Sequence, residues 1–285
     1  MDPLQPGDPT RIGTYTVLAR LGAGGMGVVY LARSAGGRTV AVKIIRESLA
    51  ADPEYAARFA REVAAARRVT GTFTAPVLDA DPAARPTWLV TAFLPGLSLA
   101  DAVRRFGPVP PDAVRALAVG LAEALVAIHR AGVVHRDLKP ENVMLTAGGP
   151  RVIDFGIARP SDSPAITSTG VSLGTPGFMA PEQIAAGEVG PASDVFALGA
   201  VLVFAATGTG PFGDGSTRSK LSRTQDAVAE PAGITEPWLR DLVGTCLRPR
   251  PGQRPTARDL LHRLGRGGVS LHGTRWLPAA VAEAV

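Results

Sequence analysis

A glycine-rich segment near the N-terminus has the composition of a phosphate-binding loop. Glycines at positions 22, 24, 25 and 27 lie between two stretches that alternate as β-strands do. Glycine lets the backbone approach phosphate oxygens and present its N–H groups to them. A dinucleotide-binding turn would need a helix directly after the glycines, whereas Val28 to Leu31 continues as a strand. Alone the segment is a weak signal, since a plain hairpin in this glycine-rich chain is an equal alternative.

A lysine follows one strand later, at the end of the apolar run Val40 to Val42. Such a lysine is usually just solvated, but next to the glycine-rich segment Lys43 is placed to reach the α- and β-phosphates of a nucleotide. A flexible cation there needs an anionic partner. The predicted helix over 52–69 offers Glu62. Glu54 is the alternative, but it lies in the first turn, where an acid complements the helix dipole. We predict Glu62 as the partner.

The most specific segment runs from His135 to Asn142 and has the sequence His-Arg-Asp-Leu-Lys-Pro-Glu-Asn. A charged surface loop is a poor alternative, because so many fixed residue types rarely assemble by chance. The segment resembles the catalytic loop of protein kinases, in particular the bacterial serine/threonine kinases of the eukaryotic-like (Hanks) type. The resemblance implies that Asp137 accepts or orients the proton of the substrate hydroxyl. It also implies that Lys139 neutralises charge on the γ-phosphoryl group of ATP, and that Asn142 binds Mg²⁺.

Asp154-Phe155-Gly156 comes next, after a predicted hairpin at 147–150. The resemblance implies that Asp154 is a magnesium ligand that bridges the β- and γ-phosphates. Family members with an arginine at the position of Arg136 are often switched by phosphorylation of the loop that follows. A phosphate there would give Arg136 a charge-assisted partner. We predict autophosphorylation at Thr167 or Thr169, although such residues can also serve only to make a loop flexible.

Three residues are expected to support the fold. The resemblance pairs Glu182, in Ala180-Pro181-Glu182, with Arg254 in a partly buried ion pair. Asp194 resembles the aspartate that braces the catalytic loop of kinases, and a plain helix cap is the alternative; both roles can hold. His129 has no partners at metal-ligand spacing, so a solvated or capping role is expected.

The resemblance also implies an adenine site. Thr91 would be the gatekeeper, the backbone of Ala92 to Leu94 would hydrogen-bond to adenine, and Val28, Ala41 and Met144 would sandwich the ring. The predicted ATP-binding residues are Leu21, Gly22, Ala23, Gly24, Gly25, Met26, Gly27, Val28, Ala41, Lys43, Thr91, Ala92, Phe93, Leu94 and Met144.

The acceptor class follows from two features. Lys139, two positions after Asp137, is typical of serine/threonine kinases, and Thr175 resembles the residue that docks near the catalytic aspartate. We therefore predict phosphorylation of serine and threonine on proteins. A pseudokinase scaffold is one alternative, but it would usually lack one of the residues retained at 43, 137 and 154. A small-molecule phosphotransferase is the other, but it generally lacks a segment like 174–182.

The elements that must position these residues predict an α+β, two-lobed, protein-kinase-like fold. Short strands and one helix fill the first ninety or so residues, and helices over 112–130, 194–206, 237–247 and 256–264 dominate the rest. We predict an N-terminal extension at 1–14 and a kinase domain at 15–265. This domain divides into an N-lobe at 15–92, a hinge at 92–96 and a C-lobe at 97–265. The tail at 266–285 lacks clear periodicity and is expected to be a linker or loosely docked.

Composition sets further bounds. The net charge is +5 and the basic residues are scattered, so a nucleic-acid partner is not expected. The single cysteine, Cys246, suits a reducing cytoplasm and is expected to be a small buried hydrophobe. The most apolar stretch, 195–206, is too short to cross a bilayer. A soluble, cytoplasmic protein is expected, with homodimerisation as a route to autophosphorylation.

Overall fold

A computed structural model describes residues 1–154, 177–226, 233–265 and 276–285. These residues form two compact units. The N-terminal unit contains Met1–Thr70 and Ala75–Leu94. The C-terminal unit contains Gly71–Thr74 and the described residues from Pro95 onward. The chain therefore passes from one unit to the other between Leu94 and Pro95, inside the segment predicted as the hinge.

The N-terminal unit is built on an antiparallel sheet whose described strands have the order β1-β2-β3-β4-β6-β5. The strands are Arg11–Ile12 (β1), Tyr15–Gly24 (β2), Gly27–Arg33 (β3), Thr39–Ile45 (β4), Val77–Asp81 (β5) and Trp88–Ala92 (β6). One face of this sheet carries a hydrophobic cluster that includes Tyr30, Val42 and Val90. Because side chains alternate along a strand, Lys43 lies on the opposite face from Val42.

Two helices follow β4, namely Glu47–Ala50 (α1) and Pro53–Ala66 (α2). Asp52 caps α2, since its side chain accepts a hydrogen bond from the Glu54 N–H, and Pro53 occupies the first turn, where its missing N–H costs nothing. Apolar residues three and four positions apart, such as Phe59 and Val63, are buried. Glu62 is half-buried beside them, on the helix that was predicted to carry it.

Residues 1–10 pack against the sheet of the N-terminal unit. Asp2 and Arg20 exchange two backbone hydrogen bonds of 2.9 Å. The Asp8 carboxylate accepts hydrogen bonds from the Arg20 guanidinium at 2.6 and 2.7 Å and from the Tyr30 hydroxyl at 2.7 Å. These bonds, with Arg20 first, lower the pKa of Asp8 well below its ordinary value. Leu4 packs against the hydrophobic cluster, so the extension completes the edge of the sheet.

The C-terminal unit is mostly helical and holds one small antiparallel sheet of order β7-β8-β9. Its strands are Leu97–Ser98 (β7), Val143–Thr146 (β8) and Gly149–Val152 (β9). Its described helices are Leu99–Phe106 (α3), Pro111–Arg130 (α4), Pro181–Ile184 (α5), Pro191–Thr207 (α6), Thr217–Gln225 (α7), Pro237–Cys246 (α8), Ala257–Gly265 (α9) and Ala279–Ala282 (α10).

The helix α6 lies at the centre of this unit. It is apolar on all sides and contacts both α4 and α8. A helix without a polar face can be stable only where neighbours cover its whole surface. It ends at Gly208, which adopts a left-handed conformation and stops the helix. In the described part of the chain, every helix is too short or too polar to span a bilayer.

Most predicted elements are confirmed, including the β8–β9 hairpin and the four long helices of the C-terminal unit. The expectation of a loose tail is wrong for 276–285, because Trp276, Leu277 and Val281 are buried. Single apolar residues without a period carry no helical or strand signal, so the sequence pattern could not reveal this docking.

The side chain of Cys246 is buried at the end of α8, and burial raises the pKa of its thiol to about 12. Because only the thiolate reacts, we expect native protein at pH 8 to resist Ellman's reagent, whereas urea-unfolded protein should release one equivalent of thionitrobenzoate. Fast stoichiometric reaction of the native protein would contradict the buried position. Since the chain has a single cysteine, the same assay reports global unfolding.

Candidate functional site

The glycine-rich segment forms the hairpin between β2 and β3 in the N-terminal unit. Gly24 pairs with Gly27, and the Arg46 side chain donates a hydrogen bond of 3.0 Å to the Gly24 carbonyl. A Cβ on Gly27 would lie 1.8 Å from the Ile44 carbonyl oxygen, so the fold itself requires glycine there. A Cβ on Gly22, Gly24 or Gly25 would meet no atom of the described residues within 4 Å. Neither packing nor a left-handed backbone explains these three glycines, which leaves an open, side-chain-free backbone.

The face of the sheet opposite the hydrophobic cluster carries most of the predicted nucleotide residues of β4 and β6. Ala41 pairs with Thr91, and Lys43 pairs with Val29 on one side and Leu89 on the other. Pairing in register puts these side chains on one face. The predicted residues Ala41, Lys43 and Thr91 are thus brought together.

Val28 does not belong to this group. It is partly buried against the hydrophobic cluster, on the other face of the sheet from Ala41. Its neighbour Val29 lies on the face of Ala41 and Lys43. Because side chains alternate with a period of two, a shift of one position exchanges the faces. The prediction for Val28 is therefore corrected to Val29.

Two further residues of the N-terminal unit were predicted as part of the site, Glu62 and Ala92. Glu62 is half-buried on α2, and it contributes to the environment of Tyr55, whose pKa is raised first by burial and then by the Glu62 charge. At the end of β6, the Ala92 N–H donates to the Pro76 carbonyl at 3.2 Å. This N–H is therefore already used within the N-terminal unit, and the binding of adenine by other backbone groups of Ala92 to Leu94 stays a prediction.

The segment from His135 to Asn142 lies in the C-terminal unit and is braced by Asp194. One Asp194 carboxylate oxygen accepts from the His135 N–H at 2.8 Å and contacts His129 Nε2 at 2.7 Å. The other accepts from the Arg136 N–H at 2.8 Å. Arg136 has a left-handed backbone, with φ at 64°, which is costly for a non-glycine residue and persists only where the surroundings fix it.

His135 is fully buried, and burial lowers the pKa of its ring despite nearby carboxylates. The neutral ring has one donor and one acceptor nitrogen. Its Nδ1 accepts from the Asp137 N–H at 3.2 Å, so Nε2 carries the proton and donates to the Ile153 carbonyl at 3.1 Å. His135 thus ties the segment of Asp137 to the segment that leads to Asp154.

Asp137, Lys139 and Asn142 form a compact group. Lys139 Nζ lies 3.2 Å from Asp137 Oδ2. Asn142 Nδ2 donates to the Asp137 carbonyl at 2.8 Å, with Asp137 Oδ2 at 3.4 Å. Since its nitrogen faces Asp137, the Oδ1 atom of Asn142 is the atom left to bind a metal.

Asp154 is held close to this group through the backbone. The Ile153 N–H donates to the Asn142 carbonyl at 3.0 Å, and Asp154 itself has a left-handed backbone with φ at 54°. Amide and carboxylate oxygens are the ligands that Mg²⁺ prefers. The described residues contain no group of three or more His, Cys, Asp or Glu side chains suited to a metal ion. Nucleotide-bound Mg²⁺ commonly uses one or two protein side chains plus phosphates, so this pair fits it.

Glu182 and Arg254 form a bidentate ion pair, with N–O distances of 2.7 and 2.8 Å. Burial alone would raise the pKa of Glu182, but hydrogen bonds from Arg254 and Ser193 outweigh it and the pKa is lowered. Arg254 also donates to three backbone carbonyls, those of Arg248, Pro249 and Ala192.

Three side chains make contacts that the sequence did not predict. Ser193 donates to Glu182 at 2.6 Å. Gln183 donates to the Arg136 carbonyl at 2.9 Å and accepts from the Ala180 N–H. His129, for which a solvated or capping role was expected, contacts Asp194. Gln183 and Ser193 each lie next to a residue that was predicted, Glu182 and Asp194 respectively, and these positions are the signal that the sequence offered. Phe155, Gly156, Thr167, Thr169 and Thr175 lie outside the described residues.

Comparison with known proteins decides the family. The model of the protein kinase domain matches residues 15–264. The chain belongs to the protein kinase domain family. Both the predicted family and its α+β fold class are thereby confirmed.

Curated kinases from bacteria are similar to this chain. The chain is 51% identical over 285 residues to "Probable serine/threonine-protein kinase PkwA" of Thermomonospora curvata. The aligned region covers 100% of this chain and 38% of the relative. It is 48% identical to "Serine/threonine-protein kinase AfsK" of Streptomyces coelicolor, over 98% of this chain and 36% of the relative. It is 33% identical to "Serine/threonine-protein kinase PknL" of Mycobacterium tuberculosis, over 84% and 62% respectively. The chain therefore spans little more than a third of the length of its first two relatives.

Proposed function

We propose that this chain transfers the γ-phosphoryl group of ATP to serine and threonine hydroxyls of proteins. The observation that carries the proposal is the group of Asp137, Lys139 and Asn142. The carboxylate of Asp194 holds this loop by accepting hydrogen bonds from the backbone N–H groups of His135 and Arg136. Such a group is expected in a protein kinase, and the similar relatives are named as serine/threonine kinases. A pseudokinase would have no need for the acid and the lysine in this arrangement.

Nucleotide binding is assigned to the N-terminal unit. The open backbone at Gly22, Gly24 and Gly25 suits the close approach of phosphate oxygens. Lys43 would bind the α- and β-phosphates with Glu62 as its acidic partner. Val29 and Ala41 share the face of Lys43 and would contact the adenine ring.

Magnesium would be held by Asn142 Oδ1 and the Asp154 carboxylate, where it would neutralise charge on the β- and γ-phosphates. In the transfer, the acceptor hydroxyl oxygen forms a bond to the γ-phosphorus while the bond to the β–γ bridging oxygen breaks and ADP leaves. The hydroxyl proton passes to the Asp137 carboxylate. Lys139 stabilises the negative charge on the transferred group, and its contact with Asp137 fixes both side chains.

One assay separates the candidate functions. The protein is incubated with γ-labelled ATP, Mg²⁺, and either a generic basic protein or an aminoglycoside. Label on serine or threonine of the protein supports the proposal. Nucleotide binding without transfer would favour a pseudokinase scaffold, and label on the aminoglycoside alone would favour a small-molecule phosphotransferase.

No nucleic-acid partner is proposed, because the basic residues are dispersed. The cytoplasm is the proposed location.

Lys43→Met should lower kcat/KM about a hundredfold or more, because it removes a preorganised positive charge from the phosphates. Lys43 is half-buried at a regular strand pairing, so the variant should fold. Initial rates and the melting temperature test this. Lys220→Met on α7 is the matched control and should retain full activity. An unfolded Lys43→Met protein would instead make Lys43 a structural residue.

Autophosphorylation at Thr167 or Thr169 is expected after incubation with Mg²⁺ and ATP. A phosphate there would carry negative charge, to which the Arg136 guanidinium could donate charge-assisted hydrogen bonds. Mass spectrometry of phosphopeptides identifies the sites, with Lys43→Met protein as the control that should stay unmodified. If the reaction proceeds within a homodimer formed on encounter, its specific rate rises with protein concentration. An unmodified loop in an active enzyme would contradict the prediction.

A further inference from the structure

Residues 276–285 are packed into the C-terminal unit although they lie beyond the part that matches the family model, which ends at 264. The exposed fractions of Trp276, Leu277 and Val281 are 5%, 8% and 3%. The helix α10 contacts α3. We call residues 276–285 the C-terminal clasp. Three large apolar side chains buried in so short a segment indicate a docked element.

The clasp contains one buried, directional contact. The indole N–H of Trp276 donates to the Thr146 carbonyl at 3.1 Å. Thr146 is the last residue of β8, and its hydroxyl donates to the Gly149 carbonyl at 2.7 Å. The Gly148 N–H donates to the same hydroxyl at 3.2 Å. Trp276 therefore binds the residue that closes the β8–β9 turn.

The elements that the clasp touches are those that border Asn142. The strand β8 begins directly after Asn142, and the far end of the hairpin returns through the hydrogen bond from the Ile153 N–H to the Asn142 carbonyl. The helix α3, which α10 contacts, itself contacts the short turn Pro140–Asn142. Two contact routes thus lead from the clasp to Asn142, and one of them continues to Asp154.

We propose that the C-terminal clasp positions Asn142 and Asp154 for the metal–nucleotide complex, with Trp276 as a positioning residue. This proposal rests on the proposed kinase function. The catalytic group of Asp137 is braced separately by Asp194, whereas Trp276 hydrogen-bonds to the hairpin between the two proposed metal ligands. Weakening the clasp should therefore affect the use of metal and leave the binding of protein substrate unchanged.

The test uses the full chain and Trp276→Phe, which keeps an apolar ring but loses the N–H donor. Trp276→Ala is the stronger variant. Trp238→Phe is the matched control, because Trp238 is a half-buried tryptophan of α8 in the same unit that packs against Arg115. Amide hydrogen exchange of residues 143–153, without nucleotide, should be about fivefold faster in Trp276→Phe, the factor that corresponds to one lost hydrogen bond. The control should match the wild type.

Metal use is measured in two ways. Calorimetry gives the affinity for Mn²⁺ in the presence of a non-hydrolysable ATP analogue, and initial rates give the Mg²⁺ concentration for half-maximal activity. Both should weaken by about fivefold in Trp276→Phe, while the KM for the protein acceptor stays unchanged.

The outcomes distinguish the two proposals. An inactive wild type would contradict the kinase function. Amide hydrogen exchange at 143–153 would still test whether the clasp holds the hairpin, because it needs no catalytic activity. An active wild type whose Trp276→Phe variant melts earlier but keeps its metal affinity would reduce the clasp to a stabilising element and overturn the positioning role. Unchanged exchange at 143–153 in both variants would overturn the clasp altogether. If Trp276→Ala does not fold, Trp276→Phe decides.

Discussion

Asp137→Asn should lower kcat about 10²- to 10⁴-fold, the contribution usual for a general base, and leave nucleotide binding intact. The substitution keeps the size of the side chain and an oxygen that can accept from Lys139 and Asn142, which lie 3.2 and 3.4 Å from Asp137 Oδ2. What disappears is the negative charge that receives the hydroxyl proton. Fluorescence titration with a labelled ATP analogue and steady-state rates with a protein acceptor measure the two quantities separately.

The control for this variant is Asp241→Asn, the same change of charge at an exposed position of α8. It should retain the activity of the wild type. Activity within threefold of the wild type would contradict the role of Asp137.

The order of the chemical segments could be predicted because each is a short run of fixed residue types. The rarity of lysine in this chain is a further signal for the catalytic positions. Only three of the 30 basic residues are lysine, namely Lys43, Lys139 and Lys220. In a chain that otherwise uses arginine, two of three lysines occupy proposed catalytic positions. A compact ammonium group on a flexible stem differs from a planar guanidinium, which offers a physical reason for retaining lysine there.

The side of the sheet on which a residue lies was harder to predict than the strand itself. A strand over 28–31 was expected, yet Val28 was assigned to the face that belongs to Val29. Strand periodicity fixes only that neighbours alternate, and the absolute assignment needs the pairing of Val29 with Lys43. An error of one position in a strand therefore moves a predicted ligand contact into the core.

Apart from the contacts that the family resemblance implied, hydrogen bonds from polar side chains to backbone carbonyls distant in sequence could not be predicted. Gln183 and Arg136 are 47 positions apart, and Trp276 and Thr146 are 130 apart. A single polar contact to a backbone carbonyl has no period and no required partner type, so it leaves no pattern in either segment. Such bonds fix the catalytic loop and the β8–β9 hairpin in the structure, and they are the part of the site that only coordinates reveal.

Arg254→Met should lower the free energy of unfolding by about 3–5 kcal/mol, the usual cost of removing one partner of a buried ion pair. The arginine is fully buried at the side chain, so its loss removes the cation from the Glu182 carboxylate, which keeps the Ser193 hydroxyl, and removes a donor from three backbone carbonyls. Urea denaturation monitored by circular dichroism measures the change. Arg250→Met, at an exposed position nearby, should change stability by less than about 0.5 kcal/mol.

The dependence of this effect on pH identifies its cause. The pKa of Glu182 is lowered in the folded protein from an ordinary value of 4.5, because hydrogen bonds from Arg254 and Ser193 outweigh its burial. A depressed carboxyl pKa contributes stability that is fully present above the unfolded pKa and is lost as pH falls through the folded pKa. The stability of the wild type should therefore fall below about pH 4.5 more steeply than that of Arg254→Met, in which the carboxylate has lost its cation.

Glu182→Gln combined with Arg254→Met should cost less than the sum of the single changes, because no buried charge is left unpaired. Additive costs, or equal acid limbs in the two proteins, would show that Arg254 acts through its bonds to the backbone and its packing on Phe196, and that the ion pair with Glu182 contributes little.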